Sequence, residues 1–476
     1  MRLKYAYLYC FLLAAMLVAI FSGCMFSATE TETKPEIAAH TDCARSFADP
    51  ESLYMAAADK VNQAQMLTLS VEYTTNISVG EVTFSEDCLQ TITYQGYGTE
   101  KMRARVYEQR NIGTYNILST LAFEDDIGYL AIENGYFQSN MSAEAFSARY
   151  VPAVILTPSL YKQIQAVEDS NKVTVTFTEP VAPEAWLNLA NETASDMKGI
   201  AVLDLNGNLL ESRYRFTLQR GQTQIQYSVQ VAVDMTAGVV EMPDHADYVR
   251  LDVLDAPLML ERACGYLLQA TTVTAESKES ATCDAYGDER VQKIALKMAG
   301  EDTVFTANLS AFVGVVNHSR AGEVTENTYE MHYANGSYRT WENGEMEKEQ
   351  VVAPPETMRT YCRDIMLGTV ILPEYISSAE IFDEGDTYLI SVTANEIFAK
   401  LTRQNACHVL YQDPNLPDAL ENQKITDSAS AYLAVNKATG LPVASGVEYL
   451  GTFSIAEQPY SLTYQSEQNY LLTDIS

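Results

Sequence analysis

The sequence predicts an α+β protein built from two related β-rich units, and three observations support this prediction. Segments in which apolar and polar residues alternate recur along the chain, as in strands that are buried on one face. Two stretches with helical spacing of apolar residues each lead into such a segment. The segments then follow in the same order in both halves of the chain, which is typical of an internal repeat.

The first residues of the chain have the order of a bacterial export signal. Arg2 and Lys4 precede an uncharged, mainly apolar run from Tyr5 to Phe21, and the small residues Ser22 and Gly23 follow it. A basic start, an apolar run and small residues are the three parts of a cleavable signal peptide. The alternative is an uncleaved anchor, because the run is nearly long enough to span a membrane.

The segment Ile20-Phe21-Ser22-Gly23-Cys24 resembles a bacterial lipobox, with Phe21 in place of the usual Leu. The resemblance implies that residues 1–23 are removed and that diacylglycerol is attached to the Cys24 sulfur. Two or three acyl chains would then hold the protein at the extracytoplasmic face of the cell membrane. Residues 24–46, which are rich in Thr, Glu and Ala, are predicted to be a flexible, lipidated tether.

The net charge restricts the partners of the chain. The sequence has 63 acidic residues against 31 Lys and Arg, which gives a formal charge of −32. Such a surface repels phosphate backbones and anionic headgroups, so it argues against nucleic-acid binding and makes membrane attachment depend on the covalent lipid. Solubility is the simplest role for the acidity, and binding of cations is the alternative.

Both units, residues 47–250 and residues 251–476, are predicted to open with a helix. In each, an Asp that can cap free backbone N–H groups comes before a Pro in the first turn, where no hydrogen bond is lost. Each helix leads into strand sequence, at Leu67–Tyr73 and at Thr272–Thr274. The residues with helical spacing are Leu53, Ala57, Val61 and Ala64 after Asp49-Pro50, and Leu260, Ala263, Leu267 and Ala270 after Asp255-Ala256-Pro257.

The later segments of the two units are matched in the same order. The Asn134-Gly135 turn is paired with Asn335-Gly336, because Asn-Gly supplies the positive φ angles of tight hairpins. Helical stretches follow at Met141–Gln165 and Pro355–Leu367. The matched strands are Val173–Phe177 with Tyr388–Val392, Ala201–Leu205 with Ala431–Val435, and Ile225–Val233 with Tyr460–Tyr464, and the last hairpins turn at Asn206-Gly207 and Thr439-Gly440.

This order of helix, antiparallel strands, helices and closing hairpins resembles the LolA-like lipoprotein-carrier fold over residues 50–240 and 257–476. It is also similar to tandem-repeat lipoproteins of Gram-positive bacteria. The resemblance rests on pattern and order, without a diagnostic motif. It implies that each unit is a curved antiparallel sheet, a half-open barrel, packed on helices, whose concave face holds acyl chains or another apolar ligand. A core filled by the protein's own side chains is the alternative.

The sequence contains no pattern that indicates catalysis. Its five histidines lack metal-ligand spacing, and no HExxH, GxSxG, Walker or Rossmann signature occurs. The acidic segments Glu124–Asp126, Asp204–Asn208 and Asp383–Asp386 fit solvated turns better than calcium loops. We therefore predict a protein that is not an enzyme and that has no metal site and no cofactor.

Six cysteines remain beyond Cys10 and Cys24. Their even number and the oxidising compartment favour disulfides, although six cysteines allow about 15 pairings. Pairing sequence neighbours keeps each bridge inside one unit. Reduced, buried cysteine is the alternative. The neighbour pairing gives Cys43–Cys88, Cys264–Cys283 and Cys362–Cys407.

Together these observations predict a lipid-anchored, non-catalytic protein of the cell envelope. Its expected partners are the membrane, through the lipid, and a lipid or other apolar or amphipathic ligand, or a lipoprotein partner, at the sheet–helix face. The alternative is a structural or protein-interaction module with solid cores and no ligand pocket. The sequence does not define an oligomeric state.

Overall fold

The computed structural model describes most of the chain beyond the N-terminal segment. The described residues are 45–476 except 80–81, 134, 151–157, 159–160, 170, 181–192, 221–222, 237–238, 245–247, 301, 313–323, 412–422 and 476. Residues from Ala44 onward belong to one compact unit.

The first sheet is formed by the N-terminal half of the described chain. Its strands lie in the order β1-β8-β9-β10-β11-β12-β2-β3-β4-β5-β6-β7-β13, and all neighbours are antiparallel except β7 and β13. The strands are β1 (Arg45–Ser46), β2 (Met66–Val79), β3 (Val82–Gln95), β4 (Arg103–Ile112), β5 (Tyr115–Glu124), β6 (Ile127–Ile132), β7 (Gly135–Asn140), β8 (Tyr161–Asp169), β9 (Lys172–Pro180), β10 (Thr193–Asp204), β11 (Leu209–Arg220), β12 (Thr223–Asp234) and β13 (Val249–Arg250).

The second sheet is formed by the C-terminal half and is antiparallel throughout. Its strands lie in the order β19-β18-β17-β16-β15-β14-β24-β23-β22-β21-β20. They are β14 (Ala270–Cys283), β15 (Asp288–Ala299), β16 (Asp302–Phe312), β17 (Val324–Ala334), β18 (Ser337–Glu342), β19 (Glu345–Val352), β20 (Ile376–Glu384), β21 (Thr387–Ala394), β22 (Thr426–Asn436), β23 (Pro442–Ile455) and β24 (Gln458–Ile475).

Apart from the short outer strands β1 and β13 of the first sheet, the two sheets have the same strand order. In each, six strands follow one another as hairpins, β2 to β7 and β14 to β19. Five further strands, β8 to β12 and β20 to β24, then return so that the last strand pairs with the first. Among the described residues, the outer strands of each sheet do not pair with each other, so neither sheet closes on itself. Two large antiparallel sheets with helices agree with the predicted class in its coarse features, with strands predominating.

Five α-helices accompany the sheets in the described residues: α1 (Pro50–Asn62), α2 (Ala143–Tyr150), α3 (Asp255–Gln269), α4 (Pro355–Leu367) and α5 (Glu396–Tyr411). A 3-10 turn, Pro373–Tyr375, precedes β20. Within the described part of the chain, none of the helices is both long and apolar enough to span a membrane.

The predicted helix starts are confirmed in position, and one predicted cap is wrong. The Asp49 carboxylate accepts a hydrogen bond from the Ser52 backbone N–H at 3.0 Å, which satisfies a free donor of α1. At α3 the cap is Leu254, which offers no side-chain bond, and Asp255 lies inside the first turn. There its carboxylate still faces the positive end of the helix dipole.

One predicted hairpin match is displaced by one hairpin. The turn at Asn335-Gly336 joins the fourth and fifth strands of the second sheet, whereas Gly135 begins the sixth strand of the first, and Asn134 lies outside the described residues. The fourth and fifth strands of the first sheet turn instead at Asp125-Asp126, where φ is 51° and 58°. Asp tolerates this left-handed backbone without an Asn-Gly signal, so the pattern missed the turn.

The helix predicted over Met141–Gln165 is too long. The structure has α2 over Ala143–Tyr150, and β8 already begins at Tyr161. From Tyr161 onward the chain pairs with β9 in antiparallel register, for example Val167 with Thr174. Pairing between strands therefore decides the structure of this segment against its helical spacing.

The two sheets share one hydrophobic core. Its largest cluster contains Tyr54 of α1, Val231 of the first sheet, Leu260 of α3 and Leu433 of the second sheet. The helix α3 therefore packs between strands of both sheets, and the two predicted units are in contact.

Candidate functional site

A cavity of about 430 Å³, here called the first cavity, lies between the first sheet and α3. Its size is within the range of small-molecule sites, about 300–1,000 Å³. One wall is the face of α3 that carries Asp255, Leu258, Met259 and Arg262, since spacings of three and four residues share one helix face. The opposite wall is the sheet, whose apolar lining residues are Val71, Val106, Ile117, Leu121, Leu130, Phe216 and Val229.

The inward-facing residues of three neighbouring strands change from apolar to polar along the cavity. Side chains two residues apart on a strand share a face, so Val106, Glu108 and Arg110 of β4 all point inward. The register places Gln90 of β3 beside Glu108, and Tyr73 of β2 in the same row as Arg110. A polar patch therefore lies in the middle of an otherwise apolar sheet face.

Glu86 of β3 is the centre of this patch, and its side chain is only 1% exposed. Its Oε2 accepts hydrogen bonds from Arg262 Nη2 at 2.6 Å, from Arg262 Nε at 2.9 Å and from the Tyr266 hydroxyl at 2.6 Å. Its Oε1 accepts a hydrogen bond from Arg110. Both carboxylate oxygens are thus satisfied by charged or hydroxyl donors, as a buried carboxylate requires.

Arg110 connects Glu86 to the rest of the patch. Its Nη2 donates to the Tyr73 hydroxyl at 2.6 Å and to Glu108 Oε1 at 3.1 Å. Gln90 in turn donates to Glu108. We call Glu86, Glu108, Arg110 and Arg262 the charge cluster. Its two carboxylates and two guanidinium groups balance in formal charge.

The pKa values of groups in and around the charge cluster are shifted further from neutral pH. Burial alone would raise the pKa of Glu86, but Arg262 and Arg110 hold it at about 2. Burial raises the pKa of the Cys88 thiol to about 12 and raises that of the Tyr266 hydroxyl further above its usual range. Acid–base and nucleophilic catalysis need the opposite tuning, toward neutral pH. The arrangement suits fixed polar contacts with a ligand.

The predicted cysteine sites have different outcomes. Cys24 and Cys43 lie outside the described residues, so lipidation and the Cys43–Cys88 bridge stay predictions. Five described cysteines are buried as free thiols, namely Cys88, Cys264, Cys283, Cys362 and Cys407.

The structure does not form the predicted bridges Cys264–Cys283 and Cys362–Cys407. Cys264 packs in one cluster with Ala275, whereas Cys283 and Cys407 lie in another. Eight extended residues, about 26 Å at 3.3 Å each, separate Ala275 from Cys283 on β14. A disulfide needs Cα atoms within about 7 Å. These two bridges of the neighbour pairing are therefore wrong, because the two cysteines of each pair lie in different core clusters.

The acidic segments occur in turns, as their composition predicted. Asp125 and Asp126 form the β5–β6 hairpin, and Asp204 accepts a hydrogen bond from the Asn208 backbone N–H at 2.8 Å inside the next predicted turn. Asp383 pairs with Lys437. Within the described ranges, no group of three or more His, Cys, Asp or Glu side chains is placed to hold a metal ion.

The charge cluster was not predicted from the sequence. A signal was present, because Glu86, Glu108 and Arg110 occupy positions of β3 and β4 that alternation assigns to the apolar face. Arg262 carried no such signal, because nothing in the local sequence of α3 indicates that its partner is Glu86, 176 positions away.

Comparison with known proteins gives only remote likenesses. No protein-family model matches the chain, and no curated protein sequence matches it. The crystal structure of LprF from Mycobacterium bovis is similar at 12% identity over 46% of this chain and 92% of that one, with a TM-score of 0.23. The complex of Pseudomonas aeruginosa MucA/MucB aligns at 8% identity over 90% of this chain and 100% of that one, with a TM-score of 0.16. A putative AttH from Nitrosomonas europaea aligns at 7% identity over 86% and 93%, with a TM-score of 0.14. Scores this low assign neither a fold nor a function.

Proposed function

We propose that the chain is a membrane-anchored lipoprotein of the extracytoplasmic face and that it binds an amphipathic ligand in the first cavity without catalysing a reaction. The observation that carries the proposal is the composition of the cavity, in which an apolar sheet wall leads to the charge cluster beneath α3. An apolar chain gains about 0.8 kcal/mol for each CH₂ that it buries against such a wall.

The charge cluster restricts the polar end of the ligand. Arg110 and Arg262 are already paired with carboxylates, so neither offers an uncompensated positive charge. Asp255 adds a further acidic side chain to the lining. A neutral or zwitterionic headgroup fits this balance, and an anionic headgroup would be repelled.

We propose further that residues 47–250 and 251–476 are copies of one unit in the manner of LolA-like tandem lipoproteins. The matching order of strands β2 to β12 and β14 to β24 supports this proposal. A helix precedes each set of six strands, and a second helix precedes each set of five. The shared core supports an arrangement in which α3, the first helix of the second copy, covers the cavity of the first.

A second candidate function is docking of a protein partner in the cell envelope. It is favoured by three apolar side chains on the outer face of neighbouring strands, Leu89 of β3, Tyr107 of β4 and Leu118 of β5, which are all exposed. The register places them close together, with Leu89 and Leu118 on either side of Gln109. In this case the first cavity would be a packing defect of the core.

Two variants on one strand separate these functions. Ser119→Phe places a ring in the first cavity from β5 and narrows it, whereas Leu118→Phe alters the outer face at the adjacent position. We expect native mass spectrometry of gently purified wild type and Leu118→Phe to detect a bound amphiphile, and Ser119→Phe to be mainly empty. If wild type and Ser119→Phe have the same occupancy, the amphiphile does not bind in the first cavity.

The anchor needs its own experiment. We expect Cys24→Ser to move the protein from the membrane fraction to the soluble fraction, and Cys10→Ser, within the predicted signal, to leave it in the membrane fraction. A Cys24→Ser protein that remains in the membrane fraction would contradict the lipid anchor.

A further inference from the structure

A second cavity, of about 450 Å³, lies on the second sheet beside α4 and α5. Strands β14 to β19 form one wall, and they correspond in order to strands β2 to β7 of the first sheet. Tyr361 of α4 and Val409 of α5 contribute from the helices. About half of the lining is apolar or aromatic, including Phe305, Leu309, Met331 and Trp341 on the sheet, and the rest is polar or charged.

Arg290 of β15 lines this cavity and is only 8% exposed. Its Nε has no hydrogen-bond partner, and the side chain makes no salt bridge with any described residue. Arg110 and Arg262 in the first cavity are both paired with Glu86, so the two cavities differ in this respect.

The carboxylates near the second cavity do not compensate Arg290. Glu330 is paired with His332. Burial raises the pKa of Glu279, and neither Glu279 nor Glu347 forms a salt bridge with Arg290. Burial lowers the pKa of Arg290, and the group that opposes this shift is Tyr329 rather than a carboxylate.

A guanidinium group stays charged at physiological pH even when burial lowers its pKa. Removing an unpaired charge from water is costly, so buried charges in proteins are normally paired. The described chain therefore supplies no anionic partner for Arg290. The planar guanidinium matches a carboxylate through two parallel N–H···O bonds.

We propose that the second cavity binds a long-chain carboxylate, with its head on Arg290 and its chain along Phe305, Met331 and Trp341. The unpaired guanidinium can bind one carboxylate directly, whereas the three glutamates of the lining, Glu279, Glu330 and Glu347, disfavour any further negative charge and therefore a dianionic phosphate. The first cavity, with its balanced charges, is suited to a different headgroup, so this inference is independent of the function proposed above.

Trp341 provides a local signal for the test. The chain has two tryptophans, Trp186 and Trp341. In the Trp186→Phe variant, all tryptophan emission therefore comes from Trp341 in the cavity. The full chain with this substitution, stripped of co-purifying lipid, is titrated with dodecanoate, dodecanol, dodecyl phosphate and acetate. We expect dodecanoate to change Trp341 emission at concentrations about ten- to a hundredfold below those needed for dodecanol or dodecyl phosphate, and acetate to have no effect.

Variants of arginine assign the effect to one side chain. Arg290→Met should weaken dodecanoate binding about ten- to a hundredfold and leave dodecanol binding unchanged, because it removes the charge and keeps an apolar chain of similar length. Arg339→Met, on the exposed part of β18, is the matched control and should bind as wild type does.

Several outcomes would overturn the proposal. Equal binding of dodecanoate and dodecanol by wild type would exclude recognition of the carboxylate, and a response to acetate alone would indicate a small-anion site. Undiminished dodecanoate binding by Arg290→Met would exclude Arg290 as the residue that binds the carboxylate. If Arg290→Met does not fold, the ratio of dodecanoate to dodecanol affinity in wild type still shows whether the cavity recognises the carboxylate. Ser119→Phe, which narrows the first cavity, should leave the Trp341 response intact, so failure at one cavity is distinguishable from failure at the other.

Discussion

Arg262 on α3 donates two hydrogen bonds to a single oxygen of Glu86 on β3, from Nη2 at 2.6 Å and from Nε at 2.9 Å. The two residues are 176 positions apart in the chain. The pair therefore fixes the helix that opens the second half of the chain against the sheet of the first half. Arg262 also lines the first cavity, so the stability of the fold and the lining of the cavity depend on the same contact.

Glu86→Gln should destabilise the protein strongly. The substitution leaves Arg262 and Arg110 without their buried carboxylate, and breaking a buried ion pair on one side costs about 3–5 kcal/mol. Urea denaturation gives the change in the free energy of unfolding. Glu211→Gln is the matched control, because its pair with Arg213 is exposed and such pairs contribute about 0–1 kcal/mol. Similar losses in the two variants would contradict the role assigned to Glu86.

The contribution of Glu86 should disappear in acid. Its pKa is about 2 in the folded protein against 4.5 for an unperturbed group. A lowered folded-state pKa stabilises the protein at pH values above 4.5, and this stabilisation is lost as the pH falls from 4.5 to about 2. The shift corresponds to about 3 kcal/mol. We expect the difference in unfolding free energy between wild type and Glu86→Gln to shrink by about this amount over that window. A pH-independent difference would contradict the prediction.

Local structure was predictable from the sequence, whereas the charge cluster was not. Strand alternation places Leu67–Tyr73 in β2, and the Asp49 cap and Pro50 mark the start of α1. These features depend on residues within a few positions of one another. The contact of Glu86 with Arg262 depends instead on the order in which strands pair across the chain. The same long-range pairing separates Cys264 from Cys283, which the neighbour rule had joined.

Gly265→Ala should weaken the packing of α3 against the first sheet. A Cβ at this position would lie 2.6 Å from a ring carbon of Tyr115, whose hydroxyl is held by Glu261 at 2.7 Å. Ala would favour the helix by about 1 kcal/mol, but overpacking of a core contact costs about 1–3 kcal/mol. We expect a net loss of up to about 2 kcal/mol in thermal or urea unfolding. In a Tyr115→Ala background the ring is absent, so the loss should be smaller, with Ile112 Cδ1, 3.1 Å from the same Cβ position, as the remaining close neighbour. A loss of equal size in both backgrounds would exclude the Tyr115 contact as its cause.

The described cysteines should be alkylated readily only when the protein is unfolded, and this alkylation should need no reductant. All five are buried as free thiols, and burial raises the pKa of Cys264 to about 12 and that of Cys362 to about 11. Because the thiolate is the reactive form, alkylation of the folded protein at pH 8 should be slow at these positions. In denaturant without reductant, iodoacetamide followed by peptide mass spectrometry should find Cys264, Cys283, Cys362 and Cys407 alkylated. Alkylation of these four that requires a reductant would restore disulfides to the second half of the chain and contradict the separation of Cys264 from Cys283 along β14.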